Sequence, residues 1–299
     1  MENIQMVDLK DQYLNIKTEV DQAIQTVIDA TAFINGPQVG EFAIDLASYL
    51  TVGHVIPCAN GTDALQIALM SLNLSPGDEI IVPAFTYVAT AEVIALLGLK
   101  PIMTEVCPNT FNITAEIIER AITPRTKVIV PVHLYGQCCD MEGILNVASK
   151  HNLFVIEDVA QALGAKYTFS DGTVKRAGTM GHIGCTSFFP SKNLGCYGDG
   201  GAICTNDKKL AETIKMIANH GQAKKYHHQI IGCNSRLDTI QAAVLGVKLK
   251  RLDSYEMARN KVADKYDTSL SKLDWLTIPI RATNSTHVFH QYTLKLKVA

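Results

Sequence analysis

Residues 127–158 read KVIVPVHLYGQCCDMEGILNVASKHNLFVIED. Two apolar runs, 127–132 and 153–156, flank a stretch, 141–151, whose apolar residues recur at helical spacing. Neither run alternates apolar with polar residues, as a strand with one wet face would. Continuous apolar runs belong to strands covered by helices on both sides. The stretch therefore predicts a strand–helix–strand unit of a parallel sheet.

The same rhythm extends outward. The Pro76-Gly77-Asp78 turn precedes an apolar strand at 79–82, followed by helix at 87–97, strand at 100–106 and helix at 115–122. Asn60-Gly61-Thr62-Asp63 reads as a helix start with an acidic first turn, and Ile16, Val20, Ile24 and Val27/Ile28 mark an amphipathic N-terminal helix. Beyond Glu157 the pattern changes. Residues 186–189 and 202–205 predict two strands of a hairpin around a Gly-rich segment, and 237–270 predicts an almost unbroken helix. A last strand is expected at 292–298, with no partner following it, which raises the expectation of a truncated chain. The fold class is α/β, a doubly wound and largely parallel sheet. No repeat or low-complexity tract interrupts it.

The 299 residues are 47% hydrophobic and 19% charged, with a formal charge of -2. That balance gives no general attraction to nucleic acid or an anionic membrane, so any phosphate site must be local. Apolar stretches fall short of a membrane span, and the opening residues 1–3 lack a signal peptide's basic start and apolar run. Eight scattered cysteines form no C-x-x-C zinc pair; Cys185 and Cys204 sit in apolar runs, and Cys138-Cys139 reads as packing. A reduced, cytoplasmic protein without a metal is expected. His220, His227 and His228 read as solvated or substrate-side histidines rather than as metal ligands, His227-His228 being adjacent, and Trp275 reads as core or interface.

Four stretches can carry chemistry. In Ser187-Phe188-Phe189-Pro190-Ser191-Lys192 a lysine follows an apolar strand, where desolvation favours the neutral, nucleophilic amine. A lone loop lysine is ordinarily solvated, so this reading needs company. Glu157-Asp158 closes a buried strand at the sheet edge where ligands bind in such folds. Side chains alternate along a strand, which makes Asp158 the candidate partner for a protonated pyridine nitrogen and turns Glu157 away. Gly61 and Thr62 at a helix N-terminus offer a phosphate seat, to which Ser187 adds a hydroxyl; a plain helix cap would look the same. Phe85 and Tyr87 follow a strand, and one of them can stack on a flat ring.

The order of these stretches, with N-G-T-D-A-L, P-A-F-T-Y-V-A-T, V-H-L-Y-G-Q, E-D-V-A-Q-A-L-G-A, S-F-F-P-S-K-N-L-G, G-D-G-G-A-I-C-T and G-C-N-S-R-L-D-T-I-Q-A-A, resembles the DegT/DnrJ/StrS family of sugar aminotransferases. The resemblance runs from Val7 to Tyr292. It implies the PLP-dependent transferase fold of the aspartate aminotransferase superfamily. A cofactor-binding large domain would span 1–240, and a bridging helix with an incomplete small subdomain 241–299. Members of the family run further at this end.

By the same resemblance, pyridoxal 5'-phosphate is the cofactor and Lys192 its Schiff-base lysine and proton shuttle. Asp158 holds the ring nitrogen, Gln161 lies at the phenolic oxygen side, and Tyr87 stacks on the ring. Gly61, Thr62 and Ser187 take the phosphate. Asn234 reaches the phosphate in a neighbouring subunit, implying a homodimer with shared sites. Asn234-Ser235-Arg236, where many relatives have N-Y-R, together with His290, resembles members that aminate C3 of a nucleotide sugar. Arg236 and His290 are then substrate-binding residues, Arg236 for an acidic group. C3 is preferred over C4 and UDP over dTDP, with glutamate as amino donor and a glycan precursor as product. Sugar dehydratases of the superfamily carry histidine at the Lys192 position, so Lys192 argues against them. A non-catalytic regulatory protein, or an inactive fragment, is the rival reading.

Overall fold

The computed structural model describes residues 7–297; residues 1–3 and Val298 of the expected last strand lie outside the described residues. The chain opens with α1 (Leu9–Ala30) and α2 (Pro37–Leu50). Strands and helices then alternate: β1 (His54–Cys58), α3 (Gly61–Met70), β2 (Glu79–Pro83), α4 (Ala89–Leu96), β3 (Lys100–Thr104), α5 (Ala115–Ala121), β4 (Thr126–Ile129), α6 (Met141–His151) and β5 (Phe154–Asp158). A small hairpin of β6 (Lys166–Thr168) and β7 (Val174–Arg176) precedes β8 (Ile183–Ser187), β9 (Gly201–Thr205) and α7 (Lys208–Ile217). Next come a hairpin of β10 (Gln222–Lys224) and β11 (His227–His228), then α8 (Thr239–Leu249), α9 (Leu252–Leu270), β12 (Leu276–Thr277) and β13 (Lys295–Leu296).

Seven strands form the central sheet in the order β1-β9-β8-β5-β4-β2-β3. The run from β8 to β3 is parallel, while β9 is antiparallel to both β8 and β1. The expected hairpin is therefore the β8–β9 pair, which begins three residues earlier than the sequence suggested. Apolar side chains alternate between two cores. Ile81, Ile129 and Val155 join Phe42 of α2, Ile144 of α6 and Leu245 of α8, whereas Ile80, Val128 and Ile156 join Ile67 of α3, Ile94 of α4 and Ile214 of α7. Helices on both faces explain the unbroken apolar strands.

On α1, Ile16, Val20 and Val27 are buried as their spacing predicted, while Ile28 at the edge of the stripe is exposed. The long helix expected over 237–270 is two helices, α8 and α9, separated at Lys250-Arg251. No proline or glycine marks this break; Leu249 and Leu252 on either side are both buried, so packing sets it. The expected 292–298 strand is reduced to β13, and it has a partner in β12. Trp275 is exposed.

Candidate active site

Where parallel strands end, their last side chains and the N-termini of the following helices converge. Here β1, β2, β4, β5 and β8 end around one cavity of about 700 Å³. Gly61, Thr62, Tyr87, Asp158, Gln161, Ser187 and Lys192 all line it. Seven expected site residues thus share one space.

Its phosphate-sized corner is built by backbone. Asn60 caps α3, its side chain accepting the N–H of Asp63 at 2.8 Å, so the helix starts at Gly61 with its positive end toward the cavity. Gly61 is packed so closely on β8 that a Cβ there would lie 2.6 Å from that of Ser187. Only glycine lets the helix N-terminus and the Ser187 hydroxyl share this corner.

The opposite wall holds the charges. Asp158 ends β5 on the α3/α4 side; its Oδ2 accepts the Thr90 hydroxyl at 3.0 Å and its Oδ1 the Ala160 N–H at 3.1 Å. Glu157 points to the other face, as strand alternation requires, and is fully buried there. Burial lowers the pKa of the Lys192 amine below the usual lysine value, and the Asp158 charge opposes this only in part. Gln161 Oε1 accepts the N–H of Tyr135 at 2.6 Å, which fixes its amide at the cavity wall. Of the two aromatics, Tyr87 lines the cavity, while Phe85 packs against Phe111 and Tyr135.

Three expected residues lie outside the cavity lining. Asn234 is exposed and bridges to Asn219. Arg236 is half-buried two residues further on. His290 sits near Lys192 and Arg259; burial and, secondarily, these two charges push its pKa down to about 3, and its Nδ1 has no hydrogen-bond partner among the described residues.

Sequence reasoning missed three contributors. Thr90 orients Asp158, and its place in P-A-F-T-Y-V-A-T was the available signal. Thr186 is buried at the cavity with a hydroxyl that has no partner among the described residues, consistent with a ligand that would satisfy it. Ser235 Oγ accepts the Ala59 N–H at 3.0 Å, tying the Asn234–Arg236 segment to the phosphate corner across 176 positions. Its hydroxyl is buried, which no local pattern announced.

The donor set suits a phosphorylated pyridine aldehyde: free helix N–H groups and a hydroxyl for the phosphate, a fixed carboxylate for a ring N–H, and a desolvated amine for the aldehyde. Residues 14–299 match the DegT/DnrJ/EryC1/StrS aminotransferase family. The chain belongs to this family. It is 50% identical to UDP-2-acetamido-2-deoxy-3-oxo-D-glucuronate aminotransferase of Pseudomonas aeruginosa, over 98% of this chain and 80% of that protein. It is also 46% identical to the pleiotropic regulatory protein of Geobacillus stearothermophilus, over 98% of this chain and 78% of that one. Among solved structures, S. venezuelae DesV in complex with a ketimine intermediate superposes with a TM-score of 0.95 at 39% identity, over 99% of this chain and 78% of that one. The α/β fold with its mostly parallel sheet is therefore the fold of the family's aminotransferases.

Proposed function

We propose that the chain is a pyridoxal-phosphate-dependent aminotransferase that delivers an amino group to the keto carbon of a nucleotide-linked sugar. The observation that carries this reading is the single cavity shared by Lys192, Asp158 and the α3 N-terminus. Bound there, the cofactor would supply an aldehyde carbon for amine exchange and an electron-poor ring for the charge left when a proton departs.

The chain's own residues do the rest. The N–H groups at Gly61 and Thr62, with the Ser187 hydroxyl, bind the phosphate. Asp158, held by Thr90, keeps the ring nitrogen protonated, and Gln161 flanks the ring's oxygen. Tyr87 covers a ring face. Lys192 Nζ would hold the cofactor through its aldehyde carbon, with water as the leaving group, and, once released, would carry a proton between cofactor and substrate carbons, roles that its lowered pKa favours.

The names of the relatives support a 3-oxo sugar carried on UDP or dTDP, UDP being favoured; glutamate as donor and a glycan precursor as product are further parts of the proposal. Arg236 and His290 are assigned to the sugar or donor side, Arg236 to a carboxylate. Asn234, exposed at the end of its loop, suits a contact to the cofactor of a second copy, so we assign a homodimer with shared sites. Residues 1–240 form the cofactor-binding domain in this reading, and 241–299 a bridging helix with an incomplete small subdomain. Eight free thiols fit a reducing, cytoplasmic setting.

The regulatory name of one relative keeps a non-catalytic reading in view, and the test separates the two. The full chain with pyridoxal phosphate and glutamate is offered UDP- and dTDP-linked 3-oxo and 4-oxo sugars, and products are read by mass. Amination of a 3-oxo sugar, lost in Lys192→Ala by at least about 10⁴-fold, is expected. A chain that binds the cofactor yet aminates none of them overturns the substrate claim; one that never gains visible absorbance overturns the cofactor claim too.

A further inference from the structure

After β8 the chain leaves the sheet at Phe188, carries Lys192 past the cavity and returns at Cys196. The Cys196 N–H donates to the Phe188 carbonyl and the Lys192 N–H to the Phe189 carbonyl, both at 2.8 Å, so the loop is closed at its base. Gly195 fits the closing side because a Cβ there would lie 2.3 Å from the Pro190 carbonyl oxygen. Within it the buried Asn193 Nδ2 donates to the Val288 carbonyl at 3.3 Å.

Its closing end, Gly195 to Tyr197, meets α8. Gln241 and Lys248 are seven residues apart, and two helical turns place them on one face. Gln241 Oε1 accepts the Tyr197 N–H at 2.8 Å, and Lys248 Nζ donates to the Gly195 carbonyl. Lys248 is 1% exposed and lies 5.3 Å from the Tyr197 ring centre. Burying an amine in this way is costly, and burial lowers its pKa to about 8. α8 itself is anchored against α1 and α2, and Thr239 at its start accepts the Gly36 N–H. The helix is a fixed support, and the loop is what it holds.

We propose that Lys248 and Gln241 are positioning residues, a two-point clamp at Gly195 and Tyr197 that keeps the 188–197 segment seated and the Lys192 amine at its half-buried place on the cavity wall. The importance of that amine rests on the function proposed above; the clamp itself rests on the contacts. A slack loop would expose Lys192 further to water, and a more fully solvated lysine returns toward its ordinary pKa.

The test is run on the full chain freed of cofactor. Labelling of Lys192 by fluorodinitrobenzene is followed against pH by peptide mass in wild type, Lys248→Met and Gln241→Met, beside circular dichroism and thermal melting. Wild type should label with a midpoint below the usual lysine value. Both variants should shift that midpoint upward by about one pH unit, a tenfold loss of reactive amine at a fixed lower pH. A shift in Lys248→Met alone would mean lost charge rather than a lost clamp, and overturns the proposal. So does a lowered melting temperature with an unmoved midpoint, the signature of a purely structural role. Should Lys248→Met fail to fold, Gln241→Met must still shift the midpoint, and Lys248→Arg, which keeps a donor, must leave it in place; any other pair of results overturns the clamp. A wild type that never takes up pyridoxal phosphate defeats the proposed function and leaves this labelling result standing.

Discussion

β5 ends in two consecutive carboxylates, and its two faces treat them differently. Glu157 is sealed: its oxygens accept the N–H groups of Gly178, Met180 and Gly181 at 2.6–2.8 Å and pair with His133 Nε2 at 2.9 Å. His133 Nδ1 in turn accepts the Cys139 N–H, which leaves the proton on Nε2 for Glu157. Among the described residues Asp158 receives only Thr90 and Ala160, and it keeps acceptor capacity open to the cavity. A carboxylate saturated by the fold's own donors holds the fold. One left under-used at a cavity wall is available to a ligand.

The sharpest way to break this contrast is Glu157→Ala. It strands three backbone N–H groups and an imidazole N–H in a dry interior, at a cost of about 3–5 kcal/mol. A melting temperature lower by roughly 10 °C is expected. An unchanged melting curve would show that the sealed face carries no load.

Asp158→Asn should do the reverse. With a similar shape at a cavity wall, the fold should survive, but the ring nitrogen would lose its charged partner. Amination should fall by about 10²–10³-fold, measured as kcat/KM with a keto sugar, with the melting temperature near that of wild type. Full activity in this variant would move the functional carboxylate elsewhere.

Much of this was legible because local sequence decides it. The β5 run predicted a strand covered on both faces, and period-two alternation alone separated Asp158 from Glu157. The N-cap at Asn60 and the glycine behind it marked the phosphate corner. What was illegible depends on partners far along the chain. Ser235 meets Ala59 across 176 positions, and nothing near Ser235 betrays it. The break between α8 and α9 has no helix-breaking residue, only the demand that Leu249 and Leu252 both be buried. The last strand was over-extended because apolar and polar residues alternate through 292–297, yet among the described residues the strand itself is Lys295 and Leu296, paired with β12, while the Lys297 N–H donates to the Trp275 carbonyl just before β12. Lys248 looked like any helix lysine until the fold laid the Lys192 loop against it.

The smallest expected effect sharpens the contrast most. Thr90 stands on α4, and its hydroxyl is the only side-chain donor to Asp158 among the described residues. Thr90→Val keeps the shape and removes that donor. A hydrogen bond to a carboxylate contributes about 1.5–3 kcal/mol, and part of it is recovered if water or ligand replaces the hydroxyl, so a loss of about tenfold in kcat/KM is expected. Thr90→Ser, which restores the hydroxyl, should recover most of it. If Val costs stability rather than turnover, Asp158 belongs with Glu157 as a structural carboxylate. If it costs turnover alone, the two faces of β5 are divided by role as well as by direction.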